Sequence, residues 1–280
     1  MPQGHQEDGT FALSMGGEKL NHIIVIKGQP GGSQSLGIGG QVEFPSQNSC
    51  LQLHGSISPI SKALQDGMNI GQEEDVVYVV NLLTPGTIEA DIVARFLDGV
   101  GKQKPQLVGY NSESADLRIL LQRALVCGVR AADFARRPEK PWEGVDYFAG
   151  GDWHVDLMTV IGGRGRGRPS LHEVAAASGI PGKFATEGGE VADLWMGGQL
   201  ASIINYNERD ALTTYLVWLR LAHFGGFFSP AEYLQEQQLV EDLLRDEGKH
   251  PGREHLTGYL EEWRRVRREA GAAGQIQLNF

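Results

Sequence analysis

Cysteine is nearly absent: Cys50 and Cys127 are the two in a chain of 280 residues. Two thiols cannot supply a disulfide framework or a cysteine-built zinc cluster, so a reducing compartment, the cytoplasm, is expected. Long apolar runs are missing too. None approaches the roughly 20 residues that a membrane-spanning helix needs. The opening stretch MPQGHQEDGT is polar and acidic, so neither a membrane span nor a signal peptide is expected. Positive charge is in deficit, with 25 Lys and Arg against 35 Asp and Glu and a net charge of −10. A chain this acidic does not coat nucleic acid nonspecifically, and any such contact has to come from local basic clusters. What is present, 41% hydrophobic and 21% charged residues, fits a globular protein long enough to bury a core.

The pattern along the chain changes from strands to helices. Residues 1–20 are polar and glycine-rich and are expected to fray. HIIVIKGQP (22–30) reads as a buried strand that ends in Lys27 and Gln29, two positions apart and therefore on one face. Residues 31–48 are glycine-rich and read as a loop or irregular hairpin, and 51–60 as a weakly alternating strand. DVVYVVNL (75–82) is a valine-rich strand. A helix is expected to begin at Thr87, with Asp91 in its first turn and Ile88, Ile92, Val93, Phe96 and Leu97 forming its apolar stripe. PQLVGYN (105–111) reads as a strand, and SADLRILLQRAL (114–125) as a helix capped by Ser114. From Trp153 onward the pattern is helical almost throughout, broken at 162–169 and 179–189, with a long helix over 202–224 and two more reaching about residue 270. The fold class is α/β or α+β with a helical C-terminal half.

Two segments carry more than packing. In VGYNSESADLRILLQRAL an asparagine, Asn111, ends a strand, and Asp116 sits in the first turn of the next helix, where the macrodipole favours an acid. In YNERDALTTYLVWLRL, Tyr206 and Asp210 are four apart and share a helix face. Either feature alone reads as an ordinary helix start or helix surface. Together, and in this order, they resemble the second and third motifs of the DnaQ-like (DEDD) 3′–5′ exonucleases. The closer likeness is to the branch of predicted exonucleases related to the proofreading domain of family B polymerases, over about residues 19–268. HVDLMTVIGGRGRGRPSLHEVAAASGIPGK is similar to that branch's His-x-Asp-Leu and Leu-x-x-x-Ala segment, at His154 and Asp156; an acid that caps or orients a loop is the alternative reading of Asp156.

The resemblance implies a ribonuclease H-like fold, a mixed five-stranded sheet flanked by helices, over residues 21–225. A helical extension would follow over 226–270 and a flexible tail over 271–280. It implies two-metal phosphodiester hydrolysis, in which four carboxylates hold two Mg²⁺ or Mn²⁺ ions about 4 Å apart. Asp116 and Asp210 would be the metal ligands, with Tyr206 orienting the water. The other two acids belong to an Asp-x-Glu at the end of the first strand, where this chain has Lys27 and Gln29. Glu73, Glu74 and Asp75 precede a strand instead of ending one. Lysine offers no acceptor and repels a cation, and glutamine keeps one oxygen without the charge, so metal binding is expected to be lost. Lys27 is then expected beside Asp116 and Asp210, in the seat of the missing cation; a plain solvated strand end is the alternative. Ala115, where the family has an aromatic residue, is a further departure.

For nucleic acid, Arg164, Arg166 and Arg168 in GGRGRGRPS are the candidate phosphate contacts, with Asn111 beside them at the strand end; a charged surface turn is the alternative. The arginines 264, 265, 267 and 268 around Trp263 read as structural. The last six residues, Gln275-Ile-Gln-Leu278-Asn-Phe280, resemble the peptide by which bacterial polymerases and repair proteins dock on the sliding clamp. Gln275 would enter a polar recess, while Leu278 and Phe280 fill an apolar pocket. The expected function is a degenerate exonuclease homologue that binds single-stranded or 3′-terminal DNA and docks on the clamp. An active metal-dependent exonuclease and a pure protein-interaction module are the alternatives.

Overall fold

A computed structural model describes residues 23–27, 50–54, 76–80, 89–140, 143–149, 153–182 and 191–272. Five strands are described: β1 (Ile23–Lys27), β2 (Cys50–His54), β3 (Val76–Val80), β4 (Gln106–Gly109) and β5 (His154–Asp156). Nine helices are described: α1 (Glu89–Gln103), α2 (Asp116–Val126), α3 (Ala132–Ala135), α4 (Leu157–Gly162), α5 (Leu171–Ala177), α6 (Val191–Met196), α7 (Leu200–Phe224), α8 (Pro230–Glu247) and α9 (Glu254–Ala272). The fold is mixed α/β with a helical C-terminal half. Among the described residues no helix is long and apolar enough to cross a membrane.

The strands form one sheet in the order β2-β3-β1-β4-β5. β1 is antiparallel to both of its neighbours, and β4 and β5 run parallel. Ile23 stands opposite Gly109, and Ile26 opposite Gln106. The C-terminal end of β1, with Lys27, therefore lies level with the start of β4, whereas Asp116 follows the other end of β4. Three steps of strand at about 3.3 Å each, roughly 10 Å, separate the two levels. Strand direction is a tertiary property that the local sequence does not carry.

Helix spacing decides which faces are buried. α1 buries Val93, Leu97 and Val100, at i, i+4 and i+7, together with Leu107, Leu117, Phe134 and Tyr147. Phe134 and Tyr147 stack with ring centres 5.3 Å apart. Arg123 of α2 forms a two-pronged ion pair with Glu89 of α1, its second contact at 2.6 Å. The second core is larger and centres on α7. The run ALTTYLVWL (211–219) has no polar face wider than its two threonines, and the helix is buried all round there. Around it pack Val108, Tyr110, Leu157, Tyr233, Leu256, Tyr259 and Trp263. α8 and α9 share this core with β4.

Capping residues end several helices as the sequence dictates. Ser170 with Glu173 and Ser229 with Glu232 form reciprocal capping boxes, and Pro230 occupies the first turn of α8. Two local expectations are corrected. Ser114 does not cap α2; the N-cap is Ala115, with no side-chain bond. A turn closed by Ala115 N–H on the Asn111 carbonyl and Leu117 N–H on the Ser112 carbonyl, both 3.0 Å, satisfies these backbone amides instead. Residues 154–156 form a strand where a helical pattern was expected. Three residues are too few to show alternation, and pairing with β4 decides their conformation. The arginines of α9 are ion-paired, Arg264 and Arg267 with Glu241 and Arg265 with Glu262 and Glu269, as a structural reading requires.

Candidate functional site

β4 and β5 end together, with Gly109 opposite Asp156. Their C-terminal ends open at the edge where α/β sheets place ligands. Beyond β4 the chain turns through Asn111, whose φ of 63° is left-handed, a conformation that asparagine tolerates better than most residues. The turn aims the Asn111 and Glu113 amides at Asp156, 2.9 and 3.0 Å from its two oxygens. The same carboxylate caps α4, accepting from Met158 N–H at 3.0 Å and Thr159 N–H at 3.4 Å. Asp156 is thus a clamp on four backbone amides.

His154 lies two residues earlier and is buried. Its Nδ1 faces the Tyr147 carbonyl at 3.3 Å, which can only accept, so that nitrogen carries the proton. Nε2 then accepts from the Ser112 hydroxyl at 2.9 Å. Burial lowers the pKa of His154, which keeps the ring neutral and suits this arrangement. The Tyr110 hydroxyl donates to the Pro169 carbonyl at 2.6 Å, tying the 163–169 loop to the end of β4. Its pKa is pushed up to about 12, first by burial and then by the charge of Asp156.

Asp116 is the first residue of α2 and is 2% exposed. Neither carboxylate oxygen has a hydrogen-bond partner among the described residues. Burial, and then the charge of Asp156, raise its pKa well above the usual carboxylate range; its own backbone N–H is the one opposing influence. Asn111 Oδ1 is likewise buried without a partner among the described residues.

Tyr206 and Asp210 lie one turn apart on α7, as their spacing requires. The Tyr206 hydroxyl bonds to the Asp210 side chain, and burial together with that acid raises the tyrosine's pKa. The charge of Asp210 also acts on the buried Tyr259 of α9, whose hydroxyl meets Thr213 Oγ1 at 2.9 Å. The charge that acts on Asp116 is that of Asp156. The structure therefore gathers Asn111, Asp116 and Asp156 at the strand ends and Tyr206 with Asp210 on α7.

The arginine loop joins the first of these groups. Gly163 and Gly167 both have positive φ, 66° and 77°, and bend it between α4 and α5. Arg164 and Arg166 are exposed and Arg168 is half-buried. Arg164 reaches within 3.7 Å of the Glu113 carboxylate, and the charge of Arg168 acts on Tyr110. Gln29, Gln275, Leu278 and Phe280 lie outside the described residues. Sequence reasoning missed the roles of Ser112, Glu113 and Tyr110. For Asp156 the sequence offered a helix cap or loop-orienting acid as the alternative to a family role, and the carboxylate does both.

A family model of predicted 3′–5′ exonucleases related to the exonuclease domain of PolB matches residues 55–263. The chain belongs to this family. Comparison with curated proteins and with solved structures gave no match. The exonuclease-family match takes in Asn111, Asp116, Asp156, Tyr206 and Asp210, and it begins after β1, so Lys27 and Gln29 stand outside it. The two-ion chemistry of such exonucleases needs several carboxylates converging on the metals. Among the described residues no three His, Cys, Asp or Glu side chains are grouped to hold an ion. Asp156 is occupied by four amides and Asp210 bonds Tyr206, which leaves Asp116 with open oxygens. The described residues do not fit a two-ion centre.

Proposed function

We propose that this exonuclease-family chain is a catalytically degenerate homologue that serves DNA replication or repair as an accessory factor in the cytoplasm. It holds single-stranded or 3′-terminal DNA weakly, and its C-terminal peptide, through Gln275, Leu278 and Phe280, docks on the bacterial sliding clamp. The fold behind this reading is a ribonuclease H-like sheet with its functional edge at the ends of β4 and β5. One observation carries the reading: the second-motif acid, Asp116, is buried, without hydrogen-bond partners among the described residues, and drawn toward its protonated form by burial and by Asp156. A protonated carboxyl is a poor ligand for Mg²⁺ or Mn²⁺. In the sequence, Lys27 and Gln29 stand where such exonucleases have their first two acids.

The competing reading is a working metal-dependent exonuclease. It is favoured by the same open oxygens of Asp116, which are the hard ligands such ions prefer. Digestion of a 5′-labelled single-stranded oligonucleotide with Mg²⁺ or Mn²⁺ separates the two. Absence of laddering is expected. Laddering that disappears in both Asp116→Asn and Asp210→Asn would establish the active enzyme. Docking is tested apart from this by surface plasmon resonance on immobilised clamp. Removal of residues 275–280 is expected to abolish binding, and an intact chain that does not bind disproves the docking peptide.

A further inference from the structure

We propose that the arginine loop is a phosphate strap held in reserve by Glu113, which exchanges Arg164 onto the backbone of a single nucleic-acid strand at the ends of β4 and β5. The inference rests on the nucleic-acid reading above and adds to it a site and a latch. Arg164, Arg166 and Arg168 alternate with glycines on a loop that Tyr110 ties to the end of β4. Guanidinium groups fork onto phosphate oxygens, and glycines allow a polymer backbone close approach. In a chain of net charge −10 these three lie on a loop tied to the strand end that also carries Asp116 and Asp156.

The latch is the Arg164–Glu113 pair. Its separation is 3.7 Å, and the side chains are 75% and 31% exposed, so it is a weak, solvent-screened ion pair. A phosphate that accepts two parallel N–H bonds outcompetes it. The Glu113 main chain stays anchored at the strand end, because its backbone amide is held by Asp156 at 3.0 Å. Arg166, two residues on, is exposed. The contact is to phosphate and not to bases, so the strap does not read sequence.

The test is binding, not cleavage, and is run in EDTA so that metal chemistry plays no part. Fluorescence anisotropy of labelled oligo-dT and oligo-U is followed from low to moderate salt. For Arg164→Ala/Arg166→Ala the slope of log affinity against log salt is expected to fall by about 1.4, near 0.7 for each lost phosphate contact on a single strand. Affinity at low salt is expected to fall roughly tenfold. Glu113→Gln, which frees Arg164, is expected to tighten binding about two- to fivefold. Arg164→Lys/Arg166→Lys keeps the slope and loses part of the affinity, which separates charge from fork geometry. Thermal melts of each variant check that the fold is intact. An unchanged slope in the double alanine variant overturns the strap while leaving nucleic-acid binding in place. A Glu113→Gln variant that binds no tighter overturns the latch. An intact chain that binds neither oligonucleotide overturns the strap together with the nucleic-acid reading, whereas cleavage by the native chain would overturn only the degenerate reading. Equal responses on oligo-dT and oligo-U assign the strap to the phosphodiester itself, and a preference for one assigns it to that sugar.

Discussion

Asp116 is the residue on which the chemistry turns, and its environment makes a statement about stability. A carboxyl whose pKa is raised in the folded chain binds its proton more tightly there than when unfolded. Its contribution is therefore favourable in acid, and it is lost as pH rises through the unfolded value near 3.9 toward the folded one. Asp116→Asn removes the buried charge. It is expected to raise stability by about 1–3 kcal/mol above the folded pKa, a gain that shrinks toward zero on acidification. Thermal melts from pH 4 to pH 8, read as the difference between variant and native chain, check the sign; a gain that grows in acid refutes it. His154 acts the other way. Burial lowers its pKa, so its contribution is present above about 6.5 and is lost as pH falls below that value. The melts of Asp116→Asn should for this reason decline on the acid side.

At the scale of elements, one carboxylate joins two turns. Asp156 ends β5, caps α4 and holds the turn that follows β4. Asp156→Ala leaves these amides without an acceptor and is expected to cost about 3 kcal/mol in chemical denaturation. A loss under 1 kcal/mol, roughly that of a simple helix cap, would mean that water replaces the clamp at no cost. The helices were legible because apolar residues recur at helical spacing over many turns, as in α1 and α7. β4 was legible too, and so was the sharing of one face by Tyr206 and Asp210. β5 was not, because three residues carry no period. Nor was the start of α2, where Ser114 has the chemistry of a cap but sits in a turn already closed by backbone bonds. The placement of Lys27 depends on the direction of β1 relative to β4, and nothing local to IIVIK specifies it.

At the scale of the whole molecule, the site and the C-terminal helices stand on one core. Trp263 of α9 is 2% exposed and packs in the cluster that holds Val108 and Tyr110 of the strand end. Trp263→Ala is expected to destabilise the chain by about 3–5 kcal/mol. The β4 end would lose order in the same transition, seen as coincident loss of near-ultraviolet and far-ultraviolet circular dichroism. Two separate transitions would show that α8 and α9 fold as a unit apart from the sheet. The buried pair Glu208–His255, 2.6 Å apart, and its neighbour Arg253 join α7 to α9 in the same interior. The helical half is thus built into the sheet's support.

The clamp made by Asp156 has a consequence for exchange with solvent. Four amide hydrogens, on Asn111, Glu113, Met158 and Thr159, depend on a single side chain and not on a ladder of their own. One rotation of that side chain exposes all of them at once. In deuterium their signals should fade together, with one opening free energy below that of the α7 core.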